Sequence, residues 1–193
     1  MGQDLGTGGK SKEIILAGGD LGYCATLTGE VSAGVFTSIG YTAKDAGGVL
    51  SDKQPTFKEV KVTGLKDPVK RKALDRDVTF KVTILQSTLA NIAIATGGVA
   101  ADATASGFVG GKAQDAAILK WQFLVQNDDD GTKDKKLIIP RGQVMDAVEV
   151  PYNDDKETAI AVTIKALEVT DATVVNGGAS LVGARYVMSE GSF

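Results

Sequence analysis

The chain has 193 residues, contains no histidine and a single cysteine, and carries a formal net charge of −3. It therefore lacks the commonest general base and imidazole metal ligand, and one cysteine can form neither an intramolecular disulfide nor a thiolate zinc site. The acidic balance argues against a protein that binds nucleic acid by neutralising phosphates, and no apolar run approaches the roughly 20 residues that cross a bilayer.

The first part of the chain contains short predicted strands around one loop. Residues 1–12 lack the basic start and the apolar middle of a signal peptide, so we predict a flexible N-terminal arm there and a single domain over 13–193. Strands are predicted at 14–17, 23–31, 35–42 and 57–63. A stretch rich in glycine, aspartate and lysine predicts a long loop over 43–55.

The clearest pattern is an alternating strand that leads into a short helix. Over residues 78–84 every second residue is apolar and the others are threonine or lysine, which is typical of a half-buried antiparallel strand. Helical spacing follows, from Ser87 as the predicted N-cap to Gly97, which can adopt the left-handed conformation that ends a helix. A helix of about ten residues is marginal alone, so we expect it to pack on the sheet.

The second half of the chain continues as strands separated by turns. A long loop rich in glycine and alanine is predicted over 97–111, and the most hydrophobic strand face follows at alternate positions from Leu119 to Val125. Further strands are predicted at 136–139, 143–150, 159–169 and 181–188. Together these elements predict a mainly β fold, an antiparallel β-sandwich or barrel with one short flanking α-helix.

Three short motifs resemble sites of known chemistry but depart from them at essential positions. Gly9-Lys10-Ser11 matches the end of a phosphate-binding P-loop, yet Asp4 stands where the first glycine belongs. Residues 128–131 resemble a calcium loop, but Leu137 replaces the bidentate glutamate, which favours a hairpin turn over a weak surface cation site. The acidic residues of 154–157 are typical of a solvated turn. We predict no catalytic residue, cofactor or metal site, and therefore not an enzyme.

Several segments follow one another in a recognisable order. They are Leu21-Gly22-Tyr23, Lys70-Arg71-Lys72, the strand 78–84 with Thr88-Leu89-Ala90-Asn91 after it, Ile138-Ile139-Pro140-Arg141-Gly142, and an acidic turn leading into an alternating strand over 153–167. In this order, over about residues 21–169, the chain resembles the major tail tube proteins of long-tailed bacteriophages.

The resemblance implies a structural subunit of a virion. Such a subunit is a β-sandwich with a flanking helix that closes into hexameric rings, and the rings stack into a hollow tube that conducts the genome into the host. Its partners would be further copies of itself and other tail proteins, namely the tape measure, the tail terminator and the baseplate or tip. DNA would pass through the lumen without specific binding, and the protein would be made in the host cytoplasm without a membrane step. An acidic chain suits a conduit, because a lumen that repels phosphate lets DNA slide.

Contacts between subunits are predicted in the N-terminal arm and in the two long loops. A polar loop that carries a few apolar groups can bury them on a neighbouring subunit. The candidate contact residues are Leu5, Tyr41, Val49, Leu50, Pro55, Phe108 and Val109.

Two other kinds of protein fit the same residues. The first is another ring-forming part of a virion or injection machine, such as a tail completion protein or the inner tube of a contractile device. The second is a surface-binding β-sandwich module, which would need an exposed aromatic platform. Trp121 lies instead on an apolar strand face and is predicted to be part of the core.

Overall fold

The structure is a computed structural model that describes residues 12–16, 18–42, 47–60, 70–73, 75–86, 88–98, 103–104, 107–108, 116–125, 134–145 and 159–191. Its strands are β1 (Lys12–Leu16), β2 (Asp20–Cys24), β3 (Thr37–Tyr41), β4 (Gly48–Asp52), β5 (Phe57–Val60), β6 (Lys70–Ala73), β7 (Val78–Ile84), β8 (Ala103–Thr104), β9 (Gly107–Phe108), β10 (Ile118–Val125), β11 (Asp134–Val144), β12 (Ile160–Ala166), β13 (Val175–Asn176), β14 (Ala179–Ser180) and β15 (Val187–Gly191). The helix is α1 (Leu89–Ala95).

Nine strands form one antiparallel sheet that curls back on itself. The order is β1-β4-β7-β12-β11-β10-β2-β3, and β15 pairs with β11 beside this path. Thr42, just after β3, bridges Ile84 at the end of β7, and the Leu85 N–H donates to the Tyr41 carbonyl oxygen at 3.1 Å. The bridge brings β3 against β7 and closes the strands from β7 to β3 into a barrel. The predicted mainly β, antiparallel fold with one short helix is confirmed.

The main core lies on the inner face of this sheet. Along β7, β10 and β12, every second residue is buried, as the alternation predicted. The rings of Phe80 and Phe123 meet inside the barrel with their centroids 5.2 Å apart. Trp121 is buried, as predicted, and its Nε1 donates to the Gly142 carbonyl oxygen at 3.1 Å. A side chain at Gly142 would collide with this indole, because the ideal Cβ position lies 2.5 Å from Trp121 Cδ1.

Helix α1 packs on the main core and is tied to β3. Its N-cap is Thr88, whose Oγ1 accepts a hydrogen bond from the Asn91 N–H at 3.2 Å, and its end is marked by Gly97 with φ +82°. The predicted N-cap, Ser87, is therefore wrong by one residue, because the extended backbone of Thr88 places that hydroxyl over the first turn. The Asn91 side-chain amide donates to the carbonyl oxygens of Ile39 at 2.6 Å and Gln86 at 2.9 Å.

A smaller second core covers the outer face of β11. It consists of Val31, Ile138, Val169 and Val174. The segment around Val31 is bonded to the C-terminal region through Val31 N–H and the Val175 carbonyl oxygen, 2.9 Å apart. Thus two connecting segments, 28–33 and 167–186, form a second layer on this part of the sheet.

The observed strands correct several predicted boundaries. The strand predicted at 23–31 ends at Cys24, and Gly29 then turns the chain with φ +81°. The loop predicted over 43–55 contains β4, which is held between β1 and β7. The strands predicted at 136–139 and 143–150 share one strand, β11, up to Val144. The strand predicted at 181–188 begins only at Val187, because the residues before it form the second layer.

Candidate assembly surfaces

Tyr41 is more exposed than Val49, Leu50 and Pro55, the other predicted contact residues whose burial the structure describes. Its side chain is 68% exposed, whereas Ile39 and Thr42 are buried. The cause is an irregularity in β3, where Gly40 has φ +116° and the register with β2 shifts between Leu21 and Gly22. This shift interrupts the alternation of β3, so Tyr41 is presented to solvent although Ile39 enters the core.

Val49 and Leu50 are neighbours on β4 but lie on opposite faces of the sheet. Leu50 is 0% exposed and belongs to the main core, in register with Phe80 of β7. This corrects the expectation that Leu50 makes a surface contact. Val49 is half-buried on the outer face, in register with Lys81. Of the two, only Val49 has exposed side-chain surface to offer a neighbouring molecule.

Pro55 lines a polar cleft with a volume of about 340 Å³. Inside it, Arg76 binds both carboxylate oxygens of Asp52, with Nε 2.8 Å from Oδ1, and the Tyr186 hydroxyl donates to Oδ2 at 3.0 Å. Burial and the hydrogen bond to Asp52 raise the pKa of Tyr186, and the hydrogen bond to Asp52 raises that of Arg76. These groups satisfy one another and clamp the end of β4 to the C-terminal region.

The remaining predicted sites lie wholly or partly outside the described residues. Leu5 and Val109 are outside, as are the lookalike motifs at 9–11, 128–131 and 154–157. Phe108 ends β9, a strand of two residues that pairs with β8. As contact residues, Leu5, Phe108 and Val109 stay predictions.

Other exposed apolar side chains were not among the predicted contacts. Val35 is 88% exposed and Val182 is 56% exposed, and Phe57 and Met145 are also exposed. Val35 follows Gly34, which has φ +119°, and it lies two residues before Thr37, the first residue of β3. The glycine before Val35 is a signal that could have indicated a turn there, and thus an exposed valine rather than a core residue of the strand.

Within the described ranges there is no group of three or more histidine, cysteine, aspartate or glutamate residues that could hold a metal ion. In the same ranges, the helix that is present is too short to cross a membrane. What these residues present to a partner is a large sheet with exposed side chains and strand edges.

A curled antiparallel sheet with one docked helix places the chain in the mainly β class of proteins. A sequence model of a family described as phage tail tube protein matches residues 23–176. The chain belongs to this family, and its role is therefore that of a structural component of a phage tail tube. A search of curated proteins finds no match to the chain.

Proposed function

We propose that the chain is the repeating subunit of a hollow tail tube through which the phage genome passes into the host. Copies would close into rings, six to a ring as the family resemblance implies, and the rings would stack along one axis. The observation that carries the proposal is the family match over residues 23–176, which includes β3 to β13 and thus most of the curled sheet. Its role is mechanical, with no catalytic step, and its location is the virion after synthesis in the host cytoplasm.

The subunit would contact other copies of itself along the tube and other tail proteins at the two ends. Those proteins are the tape measure, the tail terminator and the baseplate or tip. A repeated contact along an axis requires a head-to-tail surface, and an exposed aromatic ring is a suitable anchor for one. We assign this role first to Tyr41. Further contacts are Val49 on β4 and Pro55 just after it, together with Leu5 from the arm and Phe108 and Val109 from the second loop.

Negative-stain electron microscopy of the purified protein over a range of concentrations tests the assembly itself. We expect hollow filaments or stacked rings with a central channel. Closed single rings that never stack would indicate a tail completion protein instead. A protein that stays monomeric at all concentrations, including with tail-tip complexes added as initiators, would contradict a tube subunit.

A pair of substitutions at Tyr41 tests the contact. Tyr41→Asp places a charge on a surface that should become dry, so we expect a soluble, folded protein that forms no tubes. Tyr41→Phe keeps the apolar ring and should assemble as the unmodified protein does. Far-UV circular dichroism and thermal melting verify that both variants are folded. Normal tubes from Tyr41→Asp would exclude Tyr41 from the contact. Deleting residues 47–53 is a poor test, because it removes β4 from the sheet.

A further inference from the structure

The hairpin of β13 and β14 contains the one place in the chain where a glycine directly follows an asparagine. Asn176 ends β13, and a turn of two residues, Gly177 and Gly178, leads into β14. The two glycines have φ +57° and +80°, as in the tight hairpin turns that match the twist of their strands. Asn176 and Gly177 are both exposed, so water reaches the peptide bond between them.

An asparagine in front of a glycine can lose its side-chain amide without an enzyme. The backbone nitrogen of Gly177 would attack Cγ of Asn176, forming a nitrogen–carbon bond. The bond from Cγ to Nδ2 breaks, and the amide leaves as ammonia with the proton of the attacking nitrogen. Water then opens the five-membered succinimide ring to aspartate or isoaspartate. Glycine favours this reaction, because no side chain at Gly177 obstructs the close approach.

A hydrogen bond from the second layer opposes the first step of this reaction. The Gly177 N–H donates to Oε1 of Glu30 at 3.1 Å, and the Ser32 hydroxyl donates to the same oxygen at 3.4 Å. A bond to a charged acceptor stabilises the N–H, whereas the attack requires the nitrogen to lose this proton. Glu30 therefore holds the attacking atom in its unreactive form.

The backbone of β13 opposes the same step. The ring can close only if rotation about the Cα–C bond of Asn176 brings the Gly177 nitrogen next to Cβ, and an extended strand keeps these atoms apart. Asn176 is paired with Ala179, and the preceding residue, Val175, is bonded through its N–H to the Gly29 carbonyl oxygen at 3.1 Å. The rotation thus requires the contacts between segments 28–33 and 167–186 to open first.

We propose that Asn176 is a site of spontaneous deamidation that the second layer protects, so that it is modified only in copies whose second layer has opened. The product carries a carboxylate next to the N–H that Glu30 binds, and the two like charges repel. Isoaspartate also adds a methylene group to the backbone, which disrupts a turn of two residues. A modified copy therefore does not restore the former contact. The inference concerns the single subunit and is independent of tube formation.

Peptide mapping by mass spectrometry tests the site directly. Trypsin cleaves after Lys165 and Arg185, and the peptide 166–185 contains no other asparagine and no glutamine, so deamidation within it is assigned to Asn176. The full-length protein is incubated at mildly alkaline pH, either folded or in guanidinium chloride, and is then digested briefly. Samples taken over time give the rate of conversion in each state.

Three variants test the role of Glu30. Glu30→Ala removes the acceptor of the Gly177 N–H, and Glu30→Gln keeps an acceptor oxygen without the charge. Glu190→Ala is the control with the same change of charge, since Glu190 is an exposed glutamate on β15, which pairs with β11. Circular dichroism and denaturant melting verify that all three variants are folded.

We expect the folded protein to convert at least about tenfold more slowly than the unfolded chain, the factor expected for one hydrogen bond to a charged group. Glu30→Ala should accelerate conversion in the folded state by a similar factor and Glu30→Gln by less, whereas Glu190→Ala should leave it unchanged. Equal rates in the folded and unfolded protein, or no conversion of the unfolded chain, would overturn the inference. Conversion of Glu30→Ala and Glu30→Gln no faster than that of Glu190→Ala would also overturn it, by excluding Glu30 as the protecting group.

Discussion

Replacing Asn91 with alanine tests how firmly α1 holds β3, the strand that presents Tyr41. Asn91 is buried, and its side-chain amide donates to the carbonyl oxygens of Ile39 at 2.6 Å and Gln86 at 2.9 Å. Each such hydrogen bond contributes about 0.5–1.5 kcal/mol net. Alanine is the better helix former by roughly 0.6 kcal/mol, which offsets part of the loss. The two bonds together contribute about 2 kcal/mol, so the expected net decrease in the free energy of unfolding is about 1.4 kcal/mol.

Urea denaturation of unassembled Asn91→Ala protein, followed by circular dichroism, measures this decrease. The matched control is Asn176→Ala, which removes an exposed asparagine and should change the free energy of unfolding by less than about 0.5 kcal/mol. Because the lost bond at Ile39 lies next to Gly40 and Tyr41, we also expect the variant to assemble only at higher protein concentration. A decrease below about 0.5 kcal/mol for Asn91→Ala would refute the argument that this amide attaches the helix to the sheet.

Three further predictions concern single residues of the sheet and the clamp. Leu50→Ala should lower the free energy of unfolding by about 2–5 kcal/mol and Val49→Ala by less than about 1 kcal/mol, as measured in urea, since only Leu50 is fully buried; equal losses would contradict their placement on opposite faces. Gly40→Ala should cost about 1–3 kcal/mol in the same assay, because φ is +116° and the new Cβ meets Gln86; an unchanged midpoint would show that β3 tolerates an ordinary backbone there. The folded state raises the pKa of Tyr186 above its unfolded value, so its contribution to stability is complete below about pH 10 and is lost as the pH rises further. The melting temperature of Tyr186→Phe should thus fall less than that of the unmodified protein between about pH 8 and about pH 11. An equal fall in both proteins would contradict a contribution of Tyr186 to this loss of stability.

The sequence predicted correctly those elements in which buried and exposed residues follow a regular local pattern. β7 has the predicted bounds and the predicted buried face, and the apolar face of β10 is buried as expected. α1 was predictable because a capping hydroxyl, helical spacing and a terminal glycine all lie within a dozen residues. In each case the signal and the structure it produces are close together in the chain.

Long-range pairing decided what the sequence did not reveal. β4 is short and lies among residues typical of loops, and it is a strand because β1 and β7 bind it from both sides. This is why Leu50 was predicted as a surface contact although it is core. Lys120 has the position of an outward polar residue, yet it is covered by Ala33, which is 87 positions away. The exposure of Tyr41 depends on the register shift at Gly40, and no periodicity of a strand contains that information.

The bridge between Thr42 and Ile84 has a consequence for the order of folding and polymerisation. Since this contact closes the barrel within one chain, the main core needs no residue of a neighbouring subunit. We therefore expect newly made copies to accumulate as folded building blocks that still carry strand edges without a partner among the described strands, such as that of β1. The onset of polymerisation would then be governed by a separate nucleating particle rather than by the folding rate, so tube growth would show a lag that preformed ends abolish.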